Sequence, residues 1–313
     1  MKDLVFALAG ALRALVAPRL GAADGRAHAR AGAGGDVTFA VDAEAEALLE
    51  HWVAANAPNV AFYSEDRGLV APAGAEHVLI VDPIDGTRPA LAGFEAACTS
   101  VAVAPLGERP PVMRDVEAGC VMEIKSGAWF LAARGAGCEA SVPLARSPTV
   151  DLDRLFWAYG FRGRPARPLV EVLGDLIDRS SVGGGCFDLG SAAYEMTRVL
   201  TGQLDAYVEP GPRLVEEVPG MRAAFEAVGG GQVLNNSPYD VAAAALCLRE
   251  GGVVLSDAAG RPLDERPLLG SGPEFQMSVL AASSERLHAR LLAELDNGMA
   301  RLQTLGKVAP PAG

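Results

Sequence analysis

Paired thiols, paired histidines and basic stretches are what this sequence lacks. Its cysteines, Cys98, Cys120, Cys138, Cys186 and Cys247, are odd in number, widely spread and never arranged as CxxC. That spacing excludes a zinc ribbon and argues against a disulfide framework, and it suits reduced thiols in a cytoplasmic protein. The four histidines (His28, His51, His77, His288) stand alone, with no HExxH pair, so zinc is not expected. Basic residues are outnumbered, Lys+Arg 27 against Asp+Glu 39, for a formal net charge of −12. An excess of that sign repels a nucleic-acid backbone and an anionic membrane, so neither is expected as a partner. No run approaches the ~20 continuous apolar residues of a membrane span.

What is present is enough apolar material for a large core: 50% hydrophobic and 21% charged over 313 residues, one large domain or two packed halves. Leu4, Ala7, Leu8, Ala11, Leu12 and Leu15 recur at helical spacing, predicting an amphipathic first helix rather than a leader, since Arg13 breaks the apolar stretch. Gly21 to Gly35 has no apolar period and reads as a mobile loop. Asp36 to Val41 is β-prone, and Asp42-Ala-Glu-Ala-Glu predicts an N-cap opening a helix to about Ala55. Strands are expected at Val60–Tyr63, His77–Val81, Ser100–Ala104, Ala118–Ile124 and Ala128–Ala132.

Proline and arginine cluster between Pro143 and Pro168, which places a boundary near 148: an α+β half (1–148) and an α/β half (149–313). In the second half, strands are expected at Leu155–Tyr159, Ala206–Glu209, Gly252–Ser256 and Met277–Ala281. Helices are expected at Pro168–Arg179, Ser191–Leu200, Asp240–Arg249 and Glu285–Leu302. Gly135-Ala-Gly137-Cys-Glu-Ala140 fits a dinucleotide fingerprint by letters but runs into Ser141-Val-Pro143, so a glycine hairpin turn is the better reading. Gly183-Gly184-Gly185 and Gly229-Gly230-Gly231 lack a Lys-Ser/Thr partner and read as turns.

Four acidic sites share one grammar, each at a strand end or a helix start: Glu65 after AFYS, Asp82 and Asp85 in VLIVDPIDGT, and Asp240 in YDVAAAALCL. Strand ends bring distant segments to one rim, and a rim of carboxylates suits a hard cation such as Mg²⁺. Pro83 stiffens the turn so that Asp82, the Ile84 carbonyl and Asp85 can face one centre. Helix formation from Arg88 would leave the Gly86 and Thr87 N–H groups as an anion site. Carboxylates for metals beside amides for a phosphate are the parts of metal-assisted phosphoryl transfer to water. Arg162, Arg164 and Arg167 in FRGRPARP are either a solvated loop or a site for a second anionic group.

VDPIDGT, the upstream SED, GDVTFAVDAEAEALLE, GSAAYEMTRVLTGQLDAYVE and YDVAAAALCLREGGVVLSDAAGRPL occur in this order across most of residues 36 to 300. Together they resemble the inositol monophosphatase family of Mg²⁺-dependent, Li⁺-sensitive phosphatases. Its superfamily also holds fructose-1,6-bisphosphatases and 3′-phosphoadenosine 5′-phosphate phosphatases. The resemblance implies a layered αβαβα sandwich, the sugar phosphatase fold, and a homodimer. It implies two or three Mg²⁺ ions held by Glu65, Asp82, the Ile84 carbonyl, Asp85 and Asp240, with Glu65 and the Thr87/Asp42 pair orienting the attacking water. Gly86 and Thr87 would hold phosphate, and Gly190, Ser191, Ala192 and Glu209 would line the pocket for the rest of a small phosphorylated metabolite. Four departures stand out. Tyr239 replaces the usual Trp, Arg88-Pro89 replaces Thr-Asn, no lysine occupies Ala31–Gly35, and about thirty residues separate Glu209 from Asp240 where relatives have a short link. The rival reading from another class is a metal or phosphometabolite binder that retains the scaffold without turnover.

Overall fold

The computed structural model describes residues 1–22, 28–31 and 37–308. α1 (Lys2–Val16) buries Val5, Leu8, Ala9, Leu12 and Val16, the stripe that an i, i+3, i+4 apolar period lays along one helical face. Within the expected loop at 21–35, His28–Ala31 instead forms β1, paired antiparallel with β2 (Val37–Phe39). The rest of that loop from 23 to 27 and 32 to 36, most of the stretch lacking the family's lysine included, lies outside the described residues.

The chain continues through α2 (Ala40–Asn56), β3 (Ala61–Ser64), β4 (Gly68–Val70), β5 (His77–Asp85), α3 (Thr87–Ala92), β6 (Cys98–Pro105), β7 (Ala118–Glu123), β8 (Trp129–Ala133) and β9 (Cys138–Ala140). Then follow β10 (Phe156–Tyr159), α4 (Ala166–Gly183), β11 (Gly185–Phe187), α5 (Ala192–Thr201), β12 (Ala206–Glu209), α6 (Gly211–Glu217) and α7 (Met221–Val228). α8 (Pro238–Glu250), β13 (Val254–Ser256), β14 (Val279–Ala282) and α9 (Glu285–Val308) close it. The fingerprint-like GAGCEA is the β8–β9 hairpin, where Gly135 and Gly137 take φ of 74° and 82°, a region only glycine enters readily. Gly183 and Gly184 end α4 as a turn, but Gly185 starts an edge strand. The long link after Glu209 holds α6 and α7.

Two sheets and three helical layers alternate. A seven-stranded sheet has the order β4-β3-β5-β6-β7-β8-β9, with β3 and β5 parallel and the other pairs antiparallel. A five-stranded sheet has the order β11-β10-β12-β14-β13, parallel across β11-β10-β12 and antiparallel beyond. The period of two along β5 divides its side chains between cores. Leu79 and Val81 pack with α1 and α2, whereas Val78 and Ile80 pack with α5, α8 and the inner face of the five-stranded sheet. The outer face of that second sheet (Trp157, Val208, Leu280) packs under α4, α9 and Leu214 and Phe225 of α6 and α7. The result is α/β/α/β/α, the layered sandwich expected.

α5 and α8 form the middle layer and are buried on nearly every side, as a helix between two sheets must be. α8 answers with small residues, Ala242–Ala245, and β7 with Gly119. A Cβ placed on Gly119 would lie 2.9 Å from Ala243 Cα. Substituting Gly119→Val should therefore cost about 1–3 kcal/mol by overpacking and displace α8. Urea unfolding checks it against Gly107→Val, where a Cβ meets nothing within 4 Å. Equal stability of the two variants would contradict this packing.

Candidate functional site

The end of β5 makes the site. Asp82 and Asp85 are three apart, so in a regular strand they would face opposite sides of the sheet. Opposite them on β6, Ser100 pairs with Asp82 and Cys98 with Asp85, so Pro83 and Ile84 stand against Thr99 alone. This one-residue bulge turns both carboxylates to the middle-layer side. The Thr99 hydroxyl donates to the Pro83 carbonyl at 3.1 Å and the Ile84 N–H to Asp82 Oδ1 at 2.9 Å, fixing the bulge. Gly86 then leaves β5 with φ 91°, and a Cβ there would lie 2.6 Å from the Ala96 carbonyl oxygen, so no other residue fits.

Helix N-termini from the middle layer complete the cluster. Asp85 Oδ2 accepts from the Ser191 hydroxyl at 2.8 Å and the Ala193 N–H at 2.6 Å, at the start of α5. Asp240 is not the cap of α8, as the sequence suggests, but its third residue. Ser237 is the N-cap, and Asp240 Oδ2 accepts the Ser237 N–H at 2.6 Å. Asp42 repeats this arrangement on α2, again at the third position: its Oδ2 accepts from the Phe39 N–H at 2.8 Å, and its Oδ1 lies 3.1 Å from the Thr87 hydroxyl. The correction has one reason in both helices. A carboxylate at this position reaches back to cap the backbone with one oxygen while the other is free to turn elsewhere.

Asp82, Asp85 and Asp240 offer carboxylate oxygens within 4.8 Å of one another. They border a cleft that Glu65, Asp42, Gly86, Thr87 and Gly190 also line. Burial, with the charges of Asp240, Asp85 and Glu65, holds the Asp82 carboxyl well above the usual range. Burial and Asp240 push Asp85 up to about 7. Asp240 is pushed up to about 6 by burial, against the opposing Ser237 N–H and the Arg162 and Arg164 guanidinium groups. Carboxylates crowded in this way repel one another unless protonated or neutralised by a cation. The donors are all oxygen, which fits a hard divalent ion; the one nearby thiol, Cys98, is pushed up by burial and stays neutral.

The remaining sequence candidates divide. Gly190 reaches the cleft. Ser191 and Ala192 are buried and border a smaller adjoining cavity together with Asp85 and Asp240. Glu209 is fully buried and tied to Arg164 and to the Gly211 N–H at 2.7 Å, so it anchors Arg164 rather than facing the cleft. The arginine trio separates accordingly. Arg162 lines the cleft, Arg164 is buried on Glu209, and Arg167 lies exposed in α4.

Sequence reasoning missed Glu46. It is 2% exposed, accepts from the Ser64 hydroxyl at 2.7 Å and the Asp66 N–H at 3.2 Å, and burial pushes it up to about 7. It holds the turn that carries Glu65. The available signal was its spacing of four from Asp42, which sets both on one face of α2.

Comparison with known proteins agrees with this geometry. The model of the inositol monophosphatase family matches residues 3–300. The chain is 27% identical over 266 residues to Nus factor SuhB of Vibrio cholerae, covering 82% of this chain and 86% of that one. It is 26% identical over 263 residues to inositol-1-monophosphatase of Mesorhizobium japonicum, covering 82% and 86%. In fold it is similar to inositol monophosphatase from Anabaena, with a TM-score of 0.67, 21% identity and 95% of each chain covered. With the family matched over nearly its whole length and its carboxylates gathered at one strand end, this chain belongs to the inositol monophosphatase family.

Proposed function

We propose that this chain hydrolyses the phosphomonoester of a small metabolite, an inositol monophosphate-like compound or a sugar phosphate, with Mg²⁺ as cofactor in two or three ions. The observation that carries the reading is the approach of Asp82, Asp85 and Asp240 to within 4.8 Å at the floor of an open cleft. Glu65, Asp82, the Ile84 carbonyl, Asp85 and Asp240 would hold the ions. Bound there, divalent cations supply an acidified water and neutralise charge on the phosphoryl and leaving oxygens.

The chain's own groups do the rest. Thr87 donates its hydroxyl proton to Asp42 at 3.1 Å, which turns a lone pair toward the attacking water. Glu65, which also lines the cleft, would accept from the same water and set its line of attack. The Gly86 and Thr87 amides at the start of α3 steady the phosphoryl oxygens. Ser191 and the Ala193 N–H keep Asp85 oriented. In this reading the 1–148 half supplies most metal ligands, and the 149–313 half supplies Asp240 and the substrate wall. Li⁺ sensitivity, a cytoplasmic location and a homodimer follow from the same family likeness; among the described residues no helix is long and apolar enough to cross a membrane. A binder without turnover has no need of Thr87 and Asp42 held as an oriented pair, which favours the enzyme.

Asp85→Asn keeps the shape and a hydrogen-bond acceptor but removes charge. It should cut phosphate release on the best of a panel of inositol, sugar and nucleoside phosphates by at least ~100-fold, with the circular dichroism spectrum retained. Wild-type turnover in this variant would contradict the mechanism.

A second expectation concerns pH. Carboxyls raised to about 7 and about 6 in the fold, from 3.8, bind protons more tightly folded than unfolded. Their burial thus weighs least on stability below about pH 4 and most above pH 7. Divalent cation removes that burden by favouring the charged forms. The rise in Tm on adding Mg²⁺ should therefore be several degrees larger at pH 8 than at pH 5. Equal increments at both would contradict the assignment.

A further inference from the structure

Beside the carboxylate cleft lies a wider cavity, and the two share Arg88, Arg162 and Gly190 in their walls. A leaving group that extends from the carboxylates past these two guanidinium groups enters it. The second cavity differs from the first in chemistry. Pro89, Phe94 and Ala96 come from α3 and the loop after it, and Leu189 and Tyr194 from the loop into α5 and its first turn. Phe94 is 63% exposed, the most exposed aromatic side chain among the described residues.

Both acids of this cavity have basic neighbours. Glu95 pairs with Lys125 at 2.5 Å. Burial pushes the Asp188 carboxyl up, and Arg164 and Arg162 oppose that push. Tyr194 is held in place from behind. The Tyr194 ring lies 4.4 Å from the Arg198 guanidinium carbon, and Arg198 pairs with Glu123 at 2.5 Å in the core. A hydroxyl turned toward Phe94, Leu189 and Pro89 would lose water and find no partner among those three side chains. A flat ring can bury its apolar faces by stacking on Phe94 or on a guanidinium face while its polar edge stays in water.

We infer that the preferred leaving group carries an aromatic or heteroaromatic ring, seated against Phe94 and Leu189 while its phosphate stays at the carboxylates. The inference rests on the phosphatase reading above and narrows its substrate class. Arg88, which replaces a short polar residue of the family motif, and Arg162 form the neck between the two compartments.

The test compares kcat/KM for adenosine 5′-monophosphate and ribose 5-phosphate with Mg²⁺, because both release a primary ribose alkoxide and differ in the ring. The nucleotide should be preferred by about tenfold or more. Phe94→Ala should bring the ratio near one, and Phe94→Trp should keep it. Equal kcat/KM values in the wild type overturn the inference. An unchanged ratio in Phe94→Ala overturns it too, and if that variant also changes the oligomeric mass, Phe94 belongs to a contact between copies. Phosphate release from ribose 5-phosphate or inositol 1-phosphate without an aromatic preference removes this inference alone. No phosphate release from any of the three removes the phosphatase reading with it.

Discussion

Three carboxylates within 4.8 Å of one another, at the buried end of a strand, are the constraint to which the rest of the structure answers. Burying one ionised carboxylate without compensation is costly, and crowding two more against it compounds the cost. Hydrogen bonds supply part of the compensation. Asp82 takes the Ile84 N–H, Asp85 the Ser191 hydroxyl and Ala193 N–H, and Asp240 the Ser237 N–H. What these donors leave uncompensated shows in the upward displacement of all three carboxyls. An oxygen-rich rim of this kind suits a divalent cation.

The layered architecture is what brings the donors there. Both middle-layer helices start at the rim, so their positive ends face the acids. The seven-stranded sheet delivers β5 beneath them, and the one-residue bulge opposite Thr99 turns Asp82 and Asp85 the same way. α8 reaches the sheet only because Gly119 and the alanines Ala242–Ala245 allow close approach. The same carboxylate motif, at the third position of a helix with one oxygen capping and one working, places Asp42 on α2 and Asp240 on α8. Packing, capping and site are therefore one set of constraints.

Much of this was legible in the residues. The apolar periods of α1, β5, β12 and α9 locate the layers, and DPIDGT with its distant partners marks the rim. Less legible was anything set by tertiary contact. Val37–Phe39 and His28–Ala31 pair as short strands with no strong period of their own. Gly185–Phe187 became a strand because β10 offered an edge to pair with. Glu209 resembles a pocket residue in sequence yet lies fully buried on Arg164, since local spacing carries no record of a partner 45 residues away. Glu46 was overlooked for the opposite reason. Its helix reads as one more amphipathic surface until Ser64 and Asp66 are found bonded to it.

The central claim is that the buried acids form a divalent-cation site. A titration of Mn²⁺ into the metal-free chain at pH 7.5, followed by the loss of free-ion EPR signal, tests it most directly. The account predicts at least one tightly held ion per chain in the wild type, lost in Asp82→Asn. A folded wild-type chain that leaves all added Mn²⁺ free, or an Asp82→Asn variant that binds as tightly, would contradict it.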